Sequence, residues 1–227
     1  MFGWGRRVEI GRLAASLGTR AFLVCGSRTL ERNGTLGQLA DEMRRAGVDP
    51  VSAAECRREP EVEDVDAAAA ELWKSNPRPG DLVVGIGGGA ALDMAKALAA
   101  RAVDRRGDSI QDFLEGVGKG WTLDPAPLPI LAVPTTAGTG SEATRNGVIS
   151  RRSPSFKKSL RDERLMPRIA LVDPELTVSN PPHVTAQSGM DALCQLIESF
   201  ISKKAQPLPQ AIAVRGMRGL IPALRKA

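Results

Sequence analysis

Four continuous apolar runs, each closed by glycine or proline, constrain this chain more than any other feature. Ala21-Phe22-Leu23-Val24-Cys25 ends at Gly26, and Asp81-Leu82-Val83-Val84-Gly85-Ile86 ends at Gly87-Gly88-Gly89. Pro129-Ile130-Leu131-Ala132-Val133 ends at Pro134, and Arg168-Ile169-Ala170-Leu171-Val172 ends at Asp173-Pro174. None alternates with polar residues, which is the pattern of parallel strands covered on both faces. Helical stretches lie between them. Residues 36–46 put Leu36, Leu39, Ala40 and Met43 on one face; residues 62–74 are alanine-rich; residues 90–103 follow the glycines. This order predicts an α/β fold, a doubly wound and mostly parallel Rossmann-like sheet. Residues 146–150 and 155–160 read as a short hairpin before the last strand.

The pattern changes near residue 179. Asn180-Pro181-Pro182 is a break that suits a helix start, and Met190, Leu193, Ile197 and Ile201 then recur at helical spacing. Pro207 and Pro209 break again before a last helix. Residues 1–178 are therefore expected to form an α/β domain and residues 179–227 the beginning of an all-helical one.

Composition excludes several classes. Apolar residues are 42% and charged residues 25%, the profile of a folded chain. The net charge of +5 comes from scattered pairs such as Arg44-Arg45 and Arg105-Arg106, with no basic stripe, so no nucleic-acid partner is expected. Cys25, Cys56 and Cys194 are odd in number and lack C-x-x-C spacing. That argues against a disulfide framework or zinc-thiolate site and for a cytoplasmic setting. Asp93 and Lys96 interrupt the longest apolar stretch, residues 82–100, and residues 1–7 lead into no apolar core, so neither a membrane span nor a signal peptide is expected. His183 is the sole histidine, which excludes a histidine-rich mechanism within these 227 residues.

Two loops carry the chemistry. In Ile86-Gly87-Gly88-Gly89-Ala90-Ala91-Leu92-Asp93 the glycines permit close backbone approach to a pyrophosphate, and the following helix N-terminus attracts its charge. Asp93 is expected in the first helical turn, either favoured there by the helix dipole or accepting a hydrogen bond from a ligand. In Pro134-Thr135-Thr136-Ala137-Gly138-Thr139-Gly140-Ser141-Glu142 small hydroxyls and glycines form a polar cradle, while Thr139 and Glu142 also have capping-box spacing.

Those loops, followed by Val172-Asp173-Pro174-Glu175-Leu176-Thr177 and Gly189-Met190-Asp191-Ala192-Leu193, resemble the iron-containing (group III) alcohol dehydrogenase family in order and spacing. The resemblance covers essentially the whole chain. It implies the two-domain, dehydroquinate synthase-like architecture, with NAD or NADP on the α/β domain and Fe2+ or Zn2+ held by the helical one. It implies hydride transfer between a small-molecule alcohol or aldehyde and the nicotinamide, with the metal polarising the substrate oxygen. It also implies a homodimer or higher oligomer. Carried over, Gly88, Gly89 and Ala90 meet the pyrophosphate and Asp93 the nicotinamide side. Thr135, Thr136, Thr139 and Ser141 line ribose, phosphates and adenine. Lys157 reaches the ribose beside the nicotinamide, with Lys158 the neighbour one register away. Leu176 packs near the nucleotide or belongs to the core.

The chain departs from the family at two places. The family holds its metal with one Asp and three His; Asp191 matches the Asp, but Gln195 stands where the first His usually is. The i, i+4 spacing is right for joint ligation, yet a neutral amide oxygen is a poor donor to a first-row metal. His183 lies at a variable family position and reads as a surface residue at a helix start. The other family histidines belong to a region beyond residue 227, so the length reads as a truncation and the polypeptide is expected to bind nucleotide with little or no turnover. After the first strand the family often has an Asp that selects NAD. Here Gly26-Ser27-Arg28 carries no carboxylate, and Ser27 and Arg28 could take a 2′-phosphate. Two rival expectations stand beside the leading one: a glycerol or glycerol-phosphate dehydrogenase-type enzyme of the same fold group, and a catalytically dead nucleotide-binding module.

Overall fold

The computed structural model describes residues 1–26 and 28–227. Five strands form one sheet: β1 (Arg20–Cys25), β2 (Asp49–Glu55), β3 (Asp81–Gly87), β4 (Ile130–Pro134) and β7 (Ile169–Ala170). Their order is β2-β1-β3-β4-β7 and every pair is parallel. A separate antiparallel hairpin pairs β5 (Asn146–Arg151) with β6 (Phe156–Arg161), Ser150 opposite Lys157. The helices are α1 (Ile10–Ala15), α2 (Arg28–Arg32), α3 (Thr35–Arg45), α4 (Val62–Lys74), α5 (Gly89–Arg101), α6 (Pro182–Ile201) and α7 (Pro207–Leu224).

The central strands β1, β3 and β4 are buried on both faces because alternate side chains enter different cores. Phe22, Val24 and Val83 join α4 and α5, through Val65, Leu72 and Leu98. Ala21, Leu23, Leu82 and Val84 join α1 and α3, through Ile10, Leu13, Leu39 and Met43. The doubly wound α/β sheet expected from the apolar runs is therefore present. One strand escapes the apolar reading. β2 lies at the sheet edge and is at most half-buried, so its sequence Asp49-Pro50-Val51-Ser52 needs no apolar run.

The chain leaves β1 for β2 on one side and returns to β3 on the other. That reversal opens a crevice at the carboxyl ends of β1 and β3. Gly26 and Gly87 close its floor, the Gly26 N–H donating to the Ile86 carbonyl at 2.9 Å. Gly87 has a φ of +154°, and a Cβ there would fall 2.7 Å from the Ala91 side chain. Glycine is required for α5 to start this close to the sheet.

The two last helices pack on each other through small residues. A Cβ on Gly189 would meet Leu224 at 2.5 Å, and one on Gly216 would meet Leu196 at 2.9 Å. The helix expected from the spacing of Met190, Leu193, Ile197 and Ile201 is present, and Met190, Ile197 and Ile201 on it are exposed. On α6 the close seam is made by Gly189 and Leu196. α7 begins at Pro207, so Pro207 and Pro209 sit in its first turn and do not precede the helix, and Pro222 lies inside it.

Leu98 on α5 is fully buried. Leu98→Ala should cost about 2–5 kcal/mol, read as a lower urea midpoint. A loss below about 1 kcal/mol would contradict this packing.

Candidate functional site

The crevice is lined from both loops. A groove of about 730 Å³ runs past Gly26, Arg57, Arg58, Gly88, Thr136 and His183. A cleft of about 320 Å³ continues from it, lined by Asp93, Ser141, Lys157, Asp191 and Gln195. Glu59, Gly89 and Ala90 line both, so the start of α5 sits where they meet. No side chain caps that helix end: Gly88 is the N-cap in extended conformation and Gly89 the first helical residue. An uncapped N-terminus with glycine on both sides of its first bond attracts an anion and lets it approach the backbone.

The two loops touch. A Cβ on Gly88 would lie 3.2 Å from the Thr136 hydroxyl, and one on Gly89 would lie 2.6 Å from the Thr139 side chain. Thr135 is buried; its N–H donates to the Gly87 carbonyl, and its carbonyl accepts from the Asn180 amide at 2.8 Å. Beyond Gly140, in the left-handed region with φ 66°, the chain makes only a short 3-10 turn over Ser141–Ala143. The capping-box expectation for Thr139 and Glu142 is thus corrected. Thr139 Oγ1 accepts instead from the Ser141 N–H at 3.3 Å, two residues on, because no helix follows.

Asp93 is corrected too. α5 begins at Gly89, so Asp93 is its fifth residue and lies past the first turn, where the dipole effect has faded. Its carboxylate accepts from the Ser141 hydroxyl at 2.5 Å and from the Val148 N–H at 3.1 Å. Burial pushes the Asp93 carboxyl above the usual range, against the opposing pull of Ser141, Val148, Lys96 and Lys157.

Below Asp93 lies the residue whose role the sequence did not disclose. Lys96 is fully buried, and its Nζ donates toward Ser141 O at 2.7 Å, Thr144 O at 2.9 Å and Asn146 O at 2.8 Å. The Ser141 and Thr144 hydroxyls stand 3.2 and 2.9 Å away. Burial pushes the amine down to about 8, opposed by Asp93 and Glu142. A lone lysine inside Ala90–Ala100, otherwise alanine and aliphatic apart from Asp93, was the available signal.

The remaining expected residues divide. Lys157 lines the cleft and is exposed, paired with Glu59 at 2.5 Å; Lys158 is exposed on the same strand. Leu176 is buried in the core with Ile10 and Leu171 and is not on the crevice wall. Gly26 lines the groove; Ser27 lies outside the described residues, as does the side chain of Arg28. Asp191 and Gln195 share one face of α6 and both reach the cleft, as their spacing required. The Gln195 amide nitrogen, however, donates to the Gly138 carbonyl at 3.0 Å, clipping α6 to the threonine loop. His183 is exposed at the second position of α6, consistent with a helix-start residue, but it lines the groove. No group of three or more His, Cys, Asp or Glu among the described residues is placed to hold a metal ion. No helix among them is long and apolar enough to cross a membrane.

Comparison with known proteins bears on this geometry. The family model described as iron-containing alcohol dehydrogenase matches residues 1–174. The chain is 37% identical over 227 residues to long-chain-alcohol dehydrogenase 1 of Geobacillus thermodenitrificans, covering 99% of this chain and 55% of that protein. It is 33% identical to the NAD-dependent methanol dehydrogenase of Bacillus methanolicus, covering 100% of this chain and 57% of that one. Among solved structures, sulfoacetaldehyde reductase from Bifidobacterium kashiwanohense in complex with NAD+ superposes with a TM-score of 0.84 at 34% identity, over 99% of this chain and 58% of that one. The chain thus spans little more than half the length of the relatives it matches.

Gly89→Ala forces Thr139 aside and should cost about 1–3 kcal/mol in urea unfolding. Adding Thr139→Gly should recover part of it. An unchanged midpoint in Gly89→Ala would contradict the contact between the loops.

Proposed function

The chain belongs to the iron-containing alcohol dehydrogenase family, and on that premise we propose that its crevice binds NAD or NADP for hydride transfer between an alcohol and its aldehyde. The observation that carries this reading is the continuity of groove and cleft across Gly89 and Ala90. A dinucleotide needs a long channel with an anion site near its middle, and the uncapped start of α5 stands at that point. The glycine cradle and the polar lining fit such a ligand.

When bound, the nicotinamide supplies the acceptor or donor of the hydride. The protein's own part is to bind, orient and exclude water. Gly88, Gly89 and Ala90 receive the diphosphate. Thr135, through its backbone, and Thr136, Thr139 and Ser141 shape the wall beside it. Asp93, fixed by Ser141 and Val148, presents a rigid acceptor to the nicotinamide end. Lys157 offers a cation to the neighbouring ribose. Residues 1–178 form the nucleotide-binding domain in this reading, and residues 179–227 the beginning of the helical one. The free thiols of Cys56 and Cys194 suit a reducing cytoplasm. Assembly as a homodimer or larger oligomer belongs to the same proposal.

The metal is a different case. The donors on this wall are the Asp191 carboxylate and the Gln195 amide, whose nitrogen is already committed to Gly138. One carboxylate and one amide oxygen do not fit a tightly held iron or zinc ion, which takes four or more ligands including nitrogen or sulfur. Such an ion in the whole protein needs further donors. The Gln195 clip favours one second reading, a nucleotide-binding module without alcohol turnover.

Titration of the chain with NAD+ and NADP+ should give dissociation constants between roughly 1 μM and 1 mM. The two should lie within about tenfold of each other, because Gly26-Ser27-Arg28 lacks a carboxylate and Arg57 and Arg58 line the groove. Absence of binding would overturn the functional reading; much tighter NAD+ binding would overturn the tolerance of NADP. Gln195→His should raise Zn2+ affinity by roughly tenfold or more, measured by competition with a chromophoric chelator. Equal affinities would show that Asp191 and residue 195 do not act on one ion.

A further inference from the structure

We propose that Lys96 is the positioning residue of this crevice, its buried ammonium holding the loop of residues 141–146 in the one shape that aims Asp93 at the cleft. The inference rests on the reading that the crevice takes a nicotinamide dinucleotide. Its grounds are geometric. Lys96 Nζ has five oxygens within 3.2 Å, three of them backbone carbonyls, from Ser141, Thr144 and Asn146. No carboxylate forms an ion pair with it among the described residues; Asp93 from its own helix and Glu142 from the loop act on it only through space. An ammonium ringed by carbonyls is a cross-link between segments far apart in sequence, here one helix and one loop, 45 to 50 residues on.

The contacts run on to the site. Ser141, fixed at its carbonyl by Lys96, donates its hydroxyl to one oxygen of Asp93. Val148, just past the held segment, donates its N–H to the other. A Cβ on Gly147 would lie 3.1 Å from the Asp93 carbonyl, so the hairpin lies directly on α5 once the loop is held. Both oxygens of Asp93 are therefore set by groups that Lys96 places. A buried charge costs folding energy that an apolar side chain of similar size would not, so its gain lies in specifying the loop.

The charge itself matters. The protonated amine has three hydrogens for the surrounding oxygens, whereas the neutral amine has two and turns a lone pair on one of them. Burial already lowers Lys96 to about 8. Asp93 and Glu142 are the carboxylates that face the cage, and burial raises Asp93 as it lowers Lys96, so loss of the pH dependence in a Lys96 variant is what assigns it to Lys96.

The test is the dissociation constant of NAD+ for the chain, followed by isothermal titration from about pH 7 to pH 9 well below the melting temperature. Wild type should weaken by roughly threefold or more as pH rises through the Lys96 range. Lys96→Ala should weaken binding by roughly tenfold and lose that pH dependence. Added ammonium, which the oxygen cage can hold, should recover part of the loss, and tetramethylammonium, which has no N–H, should not. Should Lys96→Ala fail to fold, Lys96→Gln, which keeps two N–H donors without the charge, takes its place. A folded Lys96→Ala or Lys96→Gln that binds NAD+ as wild type does, or that keeps the wild-type pH dependence, overturns this inference and leaves the functional reading standing. A wild type that binds no nucleotide at any pH overturns both.

Discussion

One ammonium group among carbonyl oxygens organises this molecule's crevice. The sheet delivers β3 and β4 side by side, and their loops would otherwise be two flexible glycine- and threonine-rich tethers. Lys96 reaches from the first helix after β3 into the loop after β4 and fixes it at Ser141, Thr144 and Asn146. Contacts at Gly88 with Thr136 and at Gly89 with Thr139 complete the seam. Rigidity is thus built from below, while the surface facing the groove stays polar and open. That division suits a site that must bind and release a large anion without reshaping itself.

The parts of the fold legible in the sequence were those with an undivided physical cause. Strands buried on both faces must be continuously apolar, and three such runs marked β1, β3 and β4; the fourth holds β7, only two residues long and half-buried at a sheet edge. α4 runs over the expected 62–74 because alanines favour it and Asp64 accepts the Glu61 N–H at its start. β2, at the other edge, was not legible, since an edge strand needs no apolar run and tolerates Pro50. The α6 stripe stays open because Gly189 and Leu196 of that helix make the close contact with α7.

The site was half legible for a related reason. Loop composition points Gly88, Gly89 and Thr136 to one crevice, and the family resemblance adds Asp191 and Gln195, whose spacing puts them on one helix face. They do not show which hydrogen bond each polar group makes. Asp93 depended on where α5 begins, and a shift of one residue moves it out of the first turn. Thr139 depended on whether a helix follows, and only a short turn does. Leu176 had the right neighbours in sequence but faces the core. Gln195 occupies the expected face, and its amide is drawn to Gly138 by a loop 57 residues earlier, a partner invisible to local pattern.

The claim at the centre is that the start of α5 and the loop held by Lys96 together receive a dinucleotide. Backbone amide hydrogen exchange with and without NAD+ tests it most directly, since it reads the N–H groups themselves. Added protection should fall at residues 88–91 and 135–146 and leave the far end of the sheet around Asn76 and Pro125 unchanged. Protection centred on that far end, or none anywhere at saturating NAD+, would contradict it.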